Sequence, residues 1–194
     1  GQGFAHAHCR SWADPAGLQA LAEGLRCRLP IMEAVALTIA RDLLDRPKRP
    51  LRRGYYEDTF DLPLIRRALL VPVSRGPWPA ACRLVAFDYR ADVPADEEVV
   101  VERDSVVLFD GVFLFRPELD GFWDVRVLVD VPDELAVARA LERDAGWMGG
   151  PAVTERRYRV RYIPVWHHYV EQVDPLCRAD FVVDNRDPTA RRLA

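Results

Sequence analysis

The chain has 194 residues, 49% of them hydrophobic and 29% charged, which fits one globular domain with a substantial core. Its formal net charge of -3 gives no general attraction to polyanions, and no run approaches the roughly 18 apolar residues of a membrane span. Nucleic acid and membrane are therefore not expected partners. Cys9, Cys27, Cys82 and Cys177 are scattered without a C-x-x-C pair and no signal peptide is visible, so reduced thiols and a cytoplasmic location are expected.

In chain order, Leu18 to Arg26 (LQALAEGLR) reads as a helix. Val35 to Ala40 (VALTIA) reads as a short buried strand ending at Arg41-Asp42. RPKRPLRRG, from Arg46 to Gly54, is polar and broken by prolines, which predicts an irregular connection. GYYEDTFD (Gly54 to Asp61) follows, then a helix over LPLIRRALL and a loop at RGPWPAA. Cys82 to Tyr89 and Glu98 to Val101 suit two strands of a small hairpin-like excursion. Ser105 to Phe109 is an unbroken apolar run, as a strand buried on both faces requires, and it stops at Asp110-Gly111.

Beyond it, Val125 to Val131 reads as a strand and Pro132 suits the first turn of a helix reaching about Asp144. AGWMGGPA predicts a flexible break before a second helix, Val153 to Val173, that Pro164 should kink, and FVVDN (Phe181 to Asn185) is the last strand. This alternation predicts an α/β class with a mainly parallel sheet and a single domain over residues 1–194.

Open parallel sheets hold ligands at the carboxyl ends of their strands, so Asp42 and Asp110, each closing an apolar run, are expected to face one site. Two such acids suit phosphoryl transfer, one deprotonating the attacking hydroxyl and the other organising magnesium; each alone is equally a helix cap or a turn residue. Arg139 and Arg143 share a helix face, and Arg156, Arg157, Arg159 and Arg161 follow the glycine break. Arginines around a glycine hinge fit a lid over phosphates, and fit equally a solvated face with intrahelical ion pairs.

GYYEDTFDLP, FDYRAD, DGVFLFRPEL, ERD, RYRVRYIP and ADFVVDN, in this order over about residues 35 to 188, resemble the bacterial uridine kinase-like proteins of the P-loop nucleoside kinase and phosphoribulokinase group. The resemblance implies a P-loop NTPase, nucleoside kinase-like three-layer fold with a helical lid at residues 139–162. It implies γ-phosphoryl transfer from ATP or GTP, with Mg2+, to the 5′-hydroxyl of a pyrimidine nucleoside. By position it makes Asp42 the base and places Asp110 near magnesium, through water. Phe87 and Tyr89 match the aromatics that sandwich the pyrimidine, with Tyr55, Tyr56, Asp58 and Asp92 as further nucleoside contacts. Arg139, Arg143 and Arg157 match the lid arginines, and the partners implied are a nucleoside and a nucleoside triphosphate, with assembly into a homo-oligomer left open.

One element of the family's pattern is missing. Its phosphate cradle, G-x-x-x-x-G-K-[ST], has no match in the chain, whose one lysine, Lys48, lies beyond Asp42. The cradle should precede the first helix, where the chain reads FAHAHCRSWADPAG, a segment also expected to make a poor central strand because it lacks a continuous apolar run. Residues 1–34 are therefore read as an atypical or truncated segment, the loop lost by truncation or by an error in the predicted reading frame. Weak or absent turnover is expected, with an inactive nucleoside-binding relative or a kinase for another small hydroxyl compound as alternatives.

Overall fold

The computed structural model describes residues 4–9, 31–33, 51–58, 60–88, 93–187, 189 and 192–193, with side chains described for 54–58, 60–83, 98–187 and 189. Two strands, β1 (Phe4–Cys9) and β2 (Ile31–Glu33), precede a helix, α1 (Leu51–Asp58). Helical turns at Leu62–Ile65, Arg66–Leu70 and Val71–Arg75 then follow without a break and are together called α2. The antiparallel hairpin of β3 (Ala80–Asp88) and β4 (Val93–Val101) leads to β5 (Val107–Asp110). After it come β6 (Val125–Asp130), α3 (Asp133–Met148), and α4, which runs through Pro151–Arg157, Tyr158–Tyr162 and Ile163–Val173. A short helix, α5 (Pro175–Arg178), and the strands β7 (Phe181–Asp184) and β8 (Arg192–Leu193) complete the described chain.

The main sheet has the order β2-β5-β1-β6-β7-β8, with every pairing parallel except β7 with β8. The α/β class and the hairpin excursion are as expected from the sequence. The first segment is not: Phe4–Cys9 lies in the middle of the sheet, bonded to β5 on one side and β6 on the other. A strand is held by main-chain N–H and C=O groups on both edges, which FAHAHC supplies as well as any apolar run. Upstream of α1, β2 occupies Ile31–Glu33, and the strand expected at 35–40 and the helix at 18–26 lie outside the described residues.

Further boundaries differ. The expected irregular connection ends early, because Leu51–Gly54 form the first turn of α1 directly after Pro50. The flexible break shrinks to two residues, since Ala145–Met148 continue α3. Gly149 and Gly150 then turn the chain at φ 96° and 100°, a region costly for residues with a Cβ. Pro164 is absorbed by a π-turn at Tyr158–Tyr162, and Pro72 by another at Arg66–Leu70. A proline ring collides with the carbonyl four residues back, here of Val160 and of Ala68, and widening the helix at those residues accommodates it.

The core lies between sheet and helices, with Ile65, Leu69 and Leu70 of α2 joining Phe109 of β5 and Val165, Trp166 and Tyr169 of α4. Ala80, Cys82 and Val101 anchor the base of the hairpin in the same cluster. A smaller cluster, Val137, Ala140, Met148 and Tyr158, packs α3 onto α4.

Candidate functional site

β5 is buried along its whole length and delivers Asp110, 3% exposed, to the carboxyl end of the sheet. In register, Asp110 lies beside Ala7 of β1 and beside Glu33 of β2, so the exits of three parallel strands meet at this carboxylate. The chain then turns back into the core through Phe113, whose φ of 63° is rare for a bulky side chain. Four aromatic contacts hold it there: the rings of Tyr55, Tyr56, Phe60 and Tyr169 lie 5.3 to 6.2 Å from its own, in edge-on geometry. The Phe115 N–H donates to the Tyr169 hydroxyl (3.0 Å) and Trp123 Nε1 donates to the Leu114 carbonyl (3.0 Å), so the loop after Asp110 is fixed by side chains from elsewhere.

Tyr55 and Tyr56 are therefore brought to the strand end, through Phe113, on successive positions of α1. Tyr55 is buried, and burial first, then the neighbouring Tyr162 and Tyr158, push its phenol above the ordinary range, partly opposed by Arg161. Tyr56 is half-buried, edge-on to His168 (5.4 Å), and carries the Arg116 guanidinium 4.5 Å over its ring. Arg116, buried itself, also donates to the Tyr56 carbonyl (2.7 Å) and pairs with Glu118. Asp58, half-buried, closes α1.

Of the remaining expected nucleoside contacts, only Phe87 has a described position. Phe87 stands on β3 opposite Pro94 of β4, and its side chain is outside what is described. Tyr89 and Asp92, between β3 and β4 in sequence, and Asp42, after β2, are all outside the described residues.

The arginines divide sharply. Arg139 donates to the carbonyls of Asn185 (2.9 Å) and Arg186 (3.1 Å), tying α3 to the chain beyond β7. Arg143 is clasped by both oxygens of Asp144 at 2.8 Å and donates to the Tyr158 hydroxyl at 3.3 Å. The Tyr158 hydroxyl in turn donates to Asp144 (3.1 Å), and its own pKa is raised by burial first and then by the Asp144 charge, opposed by Arg143. Arg159 pairs with both oxygens of Glu134 at 2.8 Å, and His167 lies 2.8 Å from Asp133. The two helices on either side of the glycine turn are thus stitched together in this conformation. Arg157 is exposed at the end of its α-turn.

Sequence reasoning passed over Phe113, Asp144 and Tyr158 as parts of this neighbourhood. DGVFLF and RYRVRY contained the signal, since aromatic residues directly after a buried acid-bearing strand have only that strand's mouth to pack against.

The comparisons with known proteins agree with this architecture. A structure described as a possible uridine kinase from Bacillus stearothermophilus superimposes with a TM-score of 0.68 at 18% identity, over 94% of this chain and 89% of that one. Phosphoribulokinase from Rhodobacter spheroides superimposes with a TM-score of 0.58 at 14% identity, over 94% and 70%. The fold is that of the P-loop kinases.

In sequence the chain is uridine kinase-like. It is 29% identical over 90 residues to the uridine kinase of Lactobacillus helveticus (46% of this chain, 41% of the relative) and 32% identical over 90 residues to that of Leuconostoc citreum (44% and 41%). Over these alignments the chain spans about two fifths of the length of the curated relatives. No protein-family profile matches it.

Proposed function

We propose that the chain is a uridine kinase-like phosphotransferase, built to pass the γ-phosphoryl group of ATP or GTP to the 5′-hydroxyl of a pyrimidine nucleoside. The observation that carries this is Asp110, a buried carboxylate at the mouth of a parallel sheet, beside the exit of the central strand. Its oxygens are hard donors of the kind magnesium takes, and the ion, when bound, neutralises charge on the transferring phosphates. Asp110 is assigned to hold it through water.

Asp42 is assigned as the base that takes the proton from the 5′-hydroxyl as that oxygen attacks phosphorus and the nucleoside diphosphate leaves. Phe87 and Tyr89 enclose the base, with Tyr55, Tyr56, Asp58 and Asp92 around the nucleoside. The single domain carries residues 139–162 as its lid, with Arg139, Arg143 and Arg157 toward the phosphates. Among the described residues no helix is long and apolar enough to cross a membrane, and a cytoplasmic setting is proposed.

The absence of G-x-x-x-x-G-K-[ST] from the 194 residues favours a second reading, a nucleoside-binding relative with little or no turnover. Calorimetric titration with uridine tests the shared part of both readings. Binding is expected, weakened by Phe87→Ala and Tyr89→Ala; binding of sugar phosphates alone would sink the nucleoside assignment. Turnover of uridine at the rate of intact kinases, abolished by Asp42→Asn, would overturn the second reading.

A further inference from the structure

Arg161 sits in the π-turn of α4, half-buried, with its guanidinium carbon 4.9 Å over the Tyr55 ring and 5.8 Å from that of Tyr162. Its Nε is buried and has no hydrogen-bond partner among the described residues. The other arginines of the helix pair are differently placed. Arg139 is held by two carbonyls, Arg143 by Asp144, and Arg159 by Glu134 and Glu155. Arg156 and Arg157 are exposed, so water reaches them.

A buried N–H on a charged group, with no acceptor, is a standing cost unless a ligand supplies one. The aromatic faces beneath Arg161 hold the guanidinium plane without using its donors, leaving the fork free for a planar or tetrahedral oxyanion. Its position is specific too. Tyr55 packs edge-on to Phe113 at 5.5 Å, and Phe113 follows Asp110 by three residues, so the cation stands two ring contacts from the mouth of β5. A π-turn at this point, made where the helix accommodates Pro164, moves residue 161 off the regular helical face.

From this we infer that Arg161, beyond the lid arginines assigned above, receives a phosphate oxygen of the bound ligand, with Tyr55 as its positioning residue. This rests on the phosphoryl-transfer reading. The phosphate has two sources, the phosphorylated acceptor and the triphosphate donor, and two pairs of titrations separate them: uridine against uridine monophosphate, and adenosine against ATP. Each is measured by calorimetry on the whole chain and on Arg161→Met and Arg161→Lys, with thermal unfolding as the check on folding.

In the unsubstituted chain, at least one phosphorylated compound is expected to bind more tightly than its unphosphorylated partner. Arg161→Met should remove about tenfold of that preference and leave the unphosphorylated compound's affinity unchanged, with Arg161→Lys between the two. A variant that weakens both members of a pair alike would make Arg161 a packing residue and overturn the inference. Uridine binding with no phosphate preference in either pair overturns it as well, while leaving the nucleoside reading standing. Absence of uridine binding removes both.

Discussion

Arg143 and Asp144 are neighbours in sequence, yet their side chains close a two-point ion pair in which both carboxylate oxygens accept at 2.8 Å. Asp144 is 3% exposed and the Tyr158 hydroxyl seals it from the α4 side. Asp144→Asn therefore leaves a guanidinium facing a neutral amide in a closed space, and a loss of about 2 kcal/mol is expected in urea denaturation. Tyr158→Phe should cost about 1 kcal/mol, because it removes one donor and leaves the ion pair in place. Equal, near-zero effects would show that the cluster does not join the two helices.

Tyr169 is fully buried and its hydroxyl is the acceptor for the Phe115 N–H. Tyr169→Phe conserves the ring contacts and strands that backbone donor, for an expected loss of about 1 to 2 kcal/mol. Hydrogen exchange at the Phe115 amide is the direct readout and should accelerate more than exchange along β6.

Glu118 gives the fold an acid-sensitive contact. Burial pushes its carboxyl up, but hydrogen bonds from Arg116 and the backbone, with the Arg116 charge, outweigh this and hold it below the ordinary value. Its folded pKa lies under its unfolded one, so the contribution is present above the ordinary glutamate range and is lost as pH falls through the lowered value. The side chain is 46% exposed, so the effect is small. Unfolding midpoints measured from about pH 6 to about pH 3 should fall less steeply in Glu118→Gln than in the parent.

The two described thiols should react differently. Cys82 is buried and its pKa is pushed up to about 11 by burial. Cys177 is exposed, with a pKa raised by its hydrogen bond to Asp174 and by that residue's charge. Alkylation at about pH 8, mapped by mass spectrometry, should label Cys177 in the folded chain and Cys82 only after denaturation. Labelling of both at one rate would contradict the placement of β3 in the core.

Much of the fold was legible because the burial pattern of its parallel strands is written as apolar runs. β5, β6 and the hairpin were readable in this way, as was the alternation that makes the sheet parallel. β1 was not, since FAHAHC joins the sheet through main-chain bonds that no apolar run announces. The start of α1 was hidden by the prolines before it, which mark a helix beginning as readily as a loop. Of the residues named from the sequence, Tyr55 and Tyr56 pack on Phe113, three residues beyond Asp110. The roles of the arginines could not be read from it: spacing puts Arg139 and Arg143 on one helix face, whereas their partners, Asn185, Arg186 and Tyr158, are fixed only by the tertiary fold.

The register between β1 and β5 carries one more consequence. Ala7 is level with Asp110, and β1 continues to Cys9, so the described end of the central strand stands about 7 Å past that carboxylate. If the proposed kinase reading holds, a glycine-lysine cradle would be grafted after Cys9, where the described part of the central strand ends. The described partners of that strand, β5 and β6, already flank it on both sides.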